Sequence, residues 1–368
     1  MDNLRWTIIV LVIGMHAADT YSPFGNWYYG DKAQTTASEA LAFGTYQSFV
    51  QAFFMSLLFS LSGFFAPSSL AKRGRVEFLK ERLFRLGLPL LLYMLVIGPI
   101  TEYFVAGSWR PSHPSTFALE WWRHIADGEV LSESGPLWFC LALLIFSFVY
   151  AACARTHNQV PQRAAALSLS SLAAFIFSMA ALTYLIRIPF PENRSVLNMH
   201  LGDFPEYALM FIAGIRLRRS RSLDALKPGS GRLSVAAGIG LGLIAWALLV
   251  RYGGALAGDF SRYSGGANWV SACKCLWEAF VCVSMSIGLT LTYRDRINTS
   301  SALFRFLSAN SFAVYVIHPP VLIAITRLMS PLQAASSIKF ALALLSATIA
   351  SFLCAFVLRC VPLLRAIL

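Results

Sequence analysis

The sequence predicts an all-α fold: a polytopic membrane helical bundle of about ten transmembrane helices, both termini cytoplasmic, forming one domain over residues 1–368. Three observations carry this. Hydrophobic residues make up 57% of the 368-residue chain and charged residues 13%, and the mean hydropathy is +0.61, which no soluble domain of this size would tolerate at its surface. Apolar runs long enough to cross about 30 Å of hydrocarbon recur along the whole chain. Basic residues alternate with these runs in a way that fixes an orientation.

The first run, 4–22, lacks a basic leader and an A-x-A cleavage site, so a retained helix is expected rather than a signal peptide. It carries Arg5 and His16. Eleven residues at about 100° each fall within about 20° of three turns, so both side chains share one face about 16 Å apart. Arg5 then lies near the membrane surface and His16 near mid-bilayer. The plain alternative is a snorkelling arginine and a core histidine satisfied by a neighbouring helix. Asp19, at i+3, could orient the His16 ring, although an outer helix-end carboxylate facing water is the simpler reading.

The second run, 46–66, ends in Ser60, Leu61, Ser62, Gly63, Phe64 and Phe65, small residues that would let a ligand approach the backbone. Lys72, Arg73, Arg75, Lys80, Arg82 and Arg85 lead into the third, 86–106. Arginines over an inner-face cleft suit a polyanionic phosphate ligand, since guanidinium forks bind phosphate bidentately. Orientation bias or anionic-lipid contact is the alternative. The fourth run, 136–153, opens on Gly135, Pro136, Leu137, Trp138 and Phe139. Runs at 165–186, 204–217 (short) and 233–250 follow, with a topogenic basic loop from Arg216 to Arg232. The eighth, 267–292, holds Glu278 about 16 Å deep, and the ninth, 306–326, holds His318 about 18 Å deep. The last is 338–358. A charged, unpaired group at mid-bilayer costs at least about 2.5 kcal/mol, so two histidines and a carboxylate at one depth point to a functional site.

With the N-terminus inside, the inner segments hold 20 of the 30 basic residues, Arg155 and Arg163 among them. The net charge of +12 is therefore mostly an orientation signal, and the short basic loops without interleaved aromatics exclude nucleic acid as a partner. All seven cysteines lie in or at the ends of the expected helices, which implies no disulfide framework. Cys273 and Cys275 lack further ligands for a metal. There is no Walker loop, no G-x-G-x-x-G and no G-x-S-x-G elbow.

Taken in order, the Arg5-x10-His16 opening, Ser62 to Phe65, Arg82-x-x-Arg85 running into Leu86 to Pro89, Gly135 to Phe139, Phe211 to Gly214 and Tyr315 to Pro320 resemble the acyltransferase-3 family of integral membrane acyltransferases. Each piece is weak alone; the ordered set is specific and spans nearly the whole chain. The form it resembles is the stand-alone one, without a C-terminal hydrolase-like domain. Pro136 stands where a polar residue is expected and Phe65 where a tyrosine is common, which leaves the acceptor open.

The resemblance implies a bacterial inner-membrane enzyme that moves an acyl group, usually acetyl, from acyl-CoA to a hydroxyl of a glycan or lipid-linked sugar. No metal is implied, and a homodimer is compatible with it. Catalytic candidates are His16 as general base, with Glu278 and His318 on the acceptor side or paired with each other. Arg5, Ser62, Gly63, Arg73, Arg75, Arg82 and Arg85 are the donor-binding candidates, and Trp138, Tyr315 and Asp19 the acceptor-side ones. A covalent acyl-histidine is the less direct variant. Succinyl-CoA as donor or an amine acceptor keeps the same class. A multi-pass transporter or glycan-precursor exporter is the rival class, though no matching halves or paired broken helices are present.

Overall fold

The computed structural model describes residues 2–32, 35–107, 116–154, 167–297 and 301–368. The helices are α1 (Asp2–Tyr21), α2 (Ala37–Gln51), α3 (Phe54–Arg73), α4 (Arg75–Val105), α5 (Phe117–Ala126), α6 (Trp138–Cys153), α7 (Leu169–Arg187), α8 (Phe204–Ser220), α9 (Ser230–Tyr252), α10 (Trp269–Asp295), α11 (Ala302–Leu328), α12 (Ser336–Arg359) and α13 (Pro362–Ile367). Among the described residues the only strands form a two-stranded antiparallel hairpin, β1 (Ser195–Val196) and β2 (Met199–His200). The chain is thus an all-α, multi-pass membrane protein. Eight spans meet the length and hydropathy needed to cross a bilayer. Two of the ten expected runs do not: α1, interrupted by Arg5, His16 and Asp19, and α8, which is 17 residues long. Arg155 and Arg163 lie outside the described residues.

Helix starts follow the sequence. Thr36 and Glu39 cap α2 reciprocally, Thr36 N donating to Glu39 Oε2 (3.1 Å) and Glu39 N to Thr36 Oγ1 (3.3 Å). Ser168, Asn268 and Ser301 accept from backbone N–H groups at the starts of α7, α10 and α11.

Packing divides the chain into two compact units interleaved in sequence, one of Gln51–Glu81 with Ala142–Thr299 and the other of Asp2–Val50, Arg82–Leu141 and Ser300–Leu368. In the first unit α3 crosses α8 at glycines: a Cβ on Gly63 would overlap Phe211 O, and one on Gly214 would overlap Ser60 O. Between apolar helices in lipid, such backbone approach supplies the van der Waals contact that holds a pair together. A core of Met179, Ala180, Met210, Ala279, Cys282 and Val283 joins α7, α8 and α10.

In the second unit α1 packs against α11 and α12, with Ala18, Tyr21, Phe43 and Ala343 forming an apolar cluster. Prolines disturb two of this unit's helices in a readable way. Pro99 has no N–H for Leu95 O, which accepts instead from Trp121 Nε1 at 2.8 Å. Pro319 has none for Tyr315 O, which accepts from the His318 ring, Nδ1 at 2.7 Å. In α4 the turns at Leu83–Gly87, Tyr93–Ile97 and Thr101–Ala106 widen to i→i+5 bonding, as in Leu88 N to Leu83 O.

Candidate active site

His16 lies on α1 with Nδ1 3.1 Å from Asp19 Oδ2, while Gln47 Nε2 donates to Asp19 Oδ1 at 2.7 Å. An ionised carboxylate only accepts, so the network assigns the proton to Nδ1 and leaves Nε2 as the lone pair. The His16 side chain keeps 21% of its surface and Asp19 11%, so the imidazole retains an open edge. Gly25 allows the following loop to close over the carboxylate, because a Cβ there would overlap Asp19 Cα. The reading of Asp19 as an outer carboxylate facing water is corrected: it is buried, and it orients the ring.

Two further rings lie nearly parallel to His16. Trp27 stacks on it with centroids 3.9 Å apart and planes at 15°, and His318 stands at 5.5 Å and 15°. The His318 tautomer follows from its bond to Tyr315 O: a carbonyl cannot donate, so Nδ1 carries the proton. His318 is 0% exposed, and its Nε2 has no hydrogen-bond partner among the described residues. The enclosed His318 ring lies beside His16, not over the face opposite Trp27. The expectation for Tyr315 is corrected. It is buried, and its hydroxyl donates to Pro136 O, so it anchors the Gly135 turn rather than facing a sugar. Trp138, next to that turn, is half-buried.

The loop over the site is tied at several points. Asp31 N donates to Thr20 O (2.8 Å), Lys339 Nζ bonds Asp31 Oδ2 (2.9 Å), and Thr35 Oγ1 donates to Tyr21 O (2.7 Å). Tyr28 pairs with Tyr93 through their hydroxyls at 3.2 Å, and burial pushes the Tyr28 phenol up, keeping it protonated. Sequence reasoning missed Trp27 and Gln47. The signals were an aromatic run, Trp27 to Tyr29, between Gly25 and Gly30, and an amide set in an apolar helix, where it needs a partner.

The donor-side candidates divide. The space at Gly63 is filled by α8, and Ser60 to Phe65 lie inside α3, which runs on to Arg73, so the expected helix end is not formed there. Arg73 pairs with Glu81 at 3.0 Å, and Arg75 donates to Ala154 O at 2.5 Å, where α6 ends. Both arginines remain exposed, and each already has a partner inside the first unit. Ser62 is half-buried. Arg5 and Arg85 of the second unit are exposed and Arg82 half-buried.

Glu278 belongs to a buried ionic cluster in the first unit. Arg187 bonds Glu278 (2.5 Å), Glu192 (2.8 Å) and Asp203 (2.6 Å), and Lys274 bonds Glu192 (2.6 Å) and Glu278 (3.4 Å). Burial pushes the Glu192 carboxyl up, but Arg187 and Lys274 reverse this and hold it below the usual carboxylate range. Glu278 therefore finds its partners in two cations of its own unit rather than in His318, and its geometry is that of a counter-ion. The sequence missed this because Arg187 and Glu192 lie at the end of a span and in a loop, with no spacing that ties them to Glu278.

A family model described as an acyltransferase domain matches residues 1–360. The chain belongs to the acyltransferase-3 family. Among its curated relatives are proteins named glucans biosynthesis protein C from Salmonella typhimurium (strain LT2), Salmonella typhi and Salmonella heidelberg (strain SL476). Each is 25% identical over 352 residues, covering 92% of this chain and 86% of the relative. No solved structure matches the chain. Family membership makes it a membrane acyltransferase that works with an acyl donor.

Proposed function

We propose that this protein transfers an acyl group from cytoplasmic acyl-CoA to a hydroxyl of a glycan acceptor, with His16 as general base. The observation that carries the reading is the Gln47–Asp19–His16 chain, which fixes the tautomer and leaves an accessible Nε2 lone pair. In the step, Nε2 takes the proton of the acceptor hydroxyl as its oxygen attacks the thioester carbonyl. The carbon–sulfur bond then breaks, the imidazolium returns its proton to the thiolate, and an ester and free CoA leave. Trp27 covers one face of the ring and His318 lies beside it, so little orientation is left to be ordered during reaction.

On the inner side, the exposed Arg5 and Arg85 together with Arg82 are the cations proposed to meet the CoA phosphates. The placement of basic residues supports a cytoplasmic donor side with both termini inside. The relatives' name makes a glucan the first acceptor to test, with acetyl-CoA and succinyl-CoA as donors. Purified protein given radiolabelled acetyl-CoA should release CoA only when acceptor is present, and His16→Ala should abolish that release. Full turnover by His16→Ala would refute the general base.

A further inference from the structure

The first unit contains a cavity of about 650 Å³ between α7, α8 and α10, within the range of small-molecule sites. None of its lining residues belongs to the His16 site. It exists because α7 turns Ser171, Ala174 and Ser178 toward it, at i, i+3 and i+7 on one face, where larger side chains would close the gap. Its walls are otherwise mainly apolar, but they have two polar features. Arg216 lies at one end with Ser220 and Ser222; it is exposed and forms no ion pair among the described residues. Deeper in, Ser286 is 4% exposed and its hydroxyl has no hydrogen-bond partner among the described residues.

We infer that this cavity binds an anionic phospholipid of the inner leaflet. An apolar slot beside exposed Ile212 suits an acyl chain. A guanidinium at its basic end, in the same helix as Arg218 and Arg219, suits a phosphate. The Ser286 hydroxyl offers a donor to an ester carbonyl or chain substituent that reaches it. A zwitterionic lipid would place a cation beside these arginines, and a detergent would bring no phosphate.

The test is native mass spectrometry of the full chain in uncharged detergent, titrated with dipalmitoyl phosphatidylglycerol, dipalmitoyl phosphatidylcholine or palmitoyl-CoA. Phosphatidylglycerol adducts should exceed phosphatidylcholine adducts several-fold. Arg216→Gln, at an exposed position, should bring the two to the same level. Ala174→Trp, also exposed in the absence of lipid, should reduce both, while Leu241→Trp on the exposed face of α9 should change neither. Equal retention of the two lipids by the unaltered chain, or unchanged phosphatidylglycerol binding in Ala174→Trp, would overturn the inference. Stronger retention of palmitoyl-CoA than of phosphatidylglycerol would overturn it too, by giving the slot to an acyl donor. CoA release by Arg216→Gln is expected to persist, so this result is separable from that of the His16 reading.

Discussion

Replacing Asp19 with asparagine tests the proposed base while preserving the shape of the site. Gln47 donates to one oxygen of Asp19 at 2.7 Å, and the other oxygen faces His16 Nδ1 at 3.1 Å. An asparagine must keep its carbonyl oxygen toward the Gln47 donor, which turns its NH2 toward Nδ1. His16 then accepts at Nδ1, its proton moves to Nε2, and the lone pair that should receive the acceptor's proton is lost. General-base assistance is worth about 10²- to 10⁴-fold, so kcat for CoA release should fall by that factor, equivalent to about 3–5 kcal/mol of barrier. KM for acyl-CoA should change little, because Asp19 is proposed to act through His16 and not on the donor. The assay is CoA thiol release against donor concentration, with circular dichroism and a melting curve to show an intact fold. A kcat within about threefold of the unaltered enzyme would sink the tautomer argument, since a general base worth about 10²-fold cannot survive loss of its lone pair so cheaply.

Other perturbations read separate parts of the structure. Trp27→Leu removes a stacked pair worth about 0.5–1.5 kcal/mol and should lower kcat about two- to tenfold with little change in KM; an unchanged rate would show that the ring needs no such support. Gly63→Ala forces a methyl group against Phe211 O and should lower the melting temperature in detergent, consistent with about 1–3 kcal/mol for overpacking; equal melting curves would mean that α3 and α8 yield there. Because Glu192 is held below its unfolded value, its contribution to stability is present above the ordinary carboxylate range near about pH 4.3 and is lost as pH falls through the lower, folded value. The melting temperature should therefore drop on acidification below that range, and the drop should be smaller in Glu192→Gln; identical acid profiles would remove Glu192 from the cluster's energetics.

Much of the fold was legible because a bilayer demands long apolar helices, and that demand is written locally in each run. The shortness of α8, which runs three residues past the expected 204–217, and the mainly helical nature of the ten runs follow from such local signals; the second run is broken at Ala52 and Phe53, between α2 and α3. The proposed site was legible only in part. Arg5 and His16 on one helix face, and Asp19 one turn further on, can be placed from helical periodicity. What periodicity cannot supply is the partner across a helix contact. Glu278 looked like an unpaired mid-membrane carboxylate, whereas its cations come from Arg187 at a helix end and Lys274 one turn away on its own helix. Lys274 at i−4 was available to sequence reasoning; Arg187 was not. Gly63 likewise presents the same local pattern whether a ligand or another helix fills the space, and only tertiary packing distinguishes the two.

The adjacency of His318 and Pro319 restricts how this segment can vary. The ring bonds Tyr315 O only because the proline supplies no backbone N–H to that carbonyl. An ordinary residue at 319 would bring a competing donor, free the imidazole to exchange tautomers and remove the constraint on its plane. Loss of the histidine with the proline retained would leave a carbonyl without its donor inside the protein, at about 1–3 kcal/mol. The two positions are thus coupled through the Tyr315 carbonyl, so substitution at 318 and 319 should be read as one event.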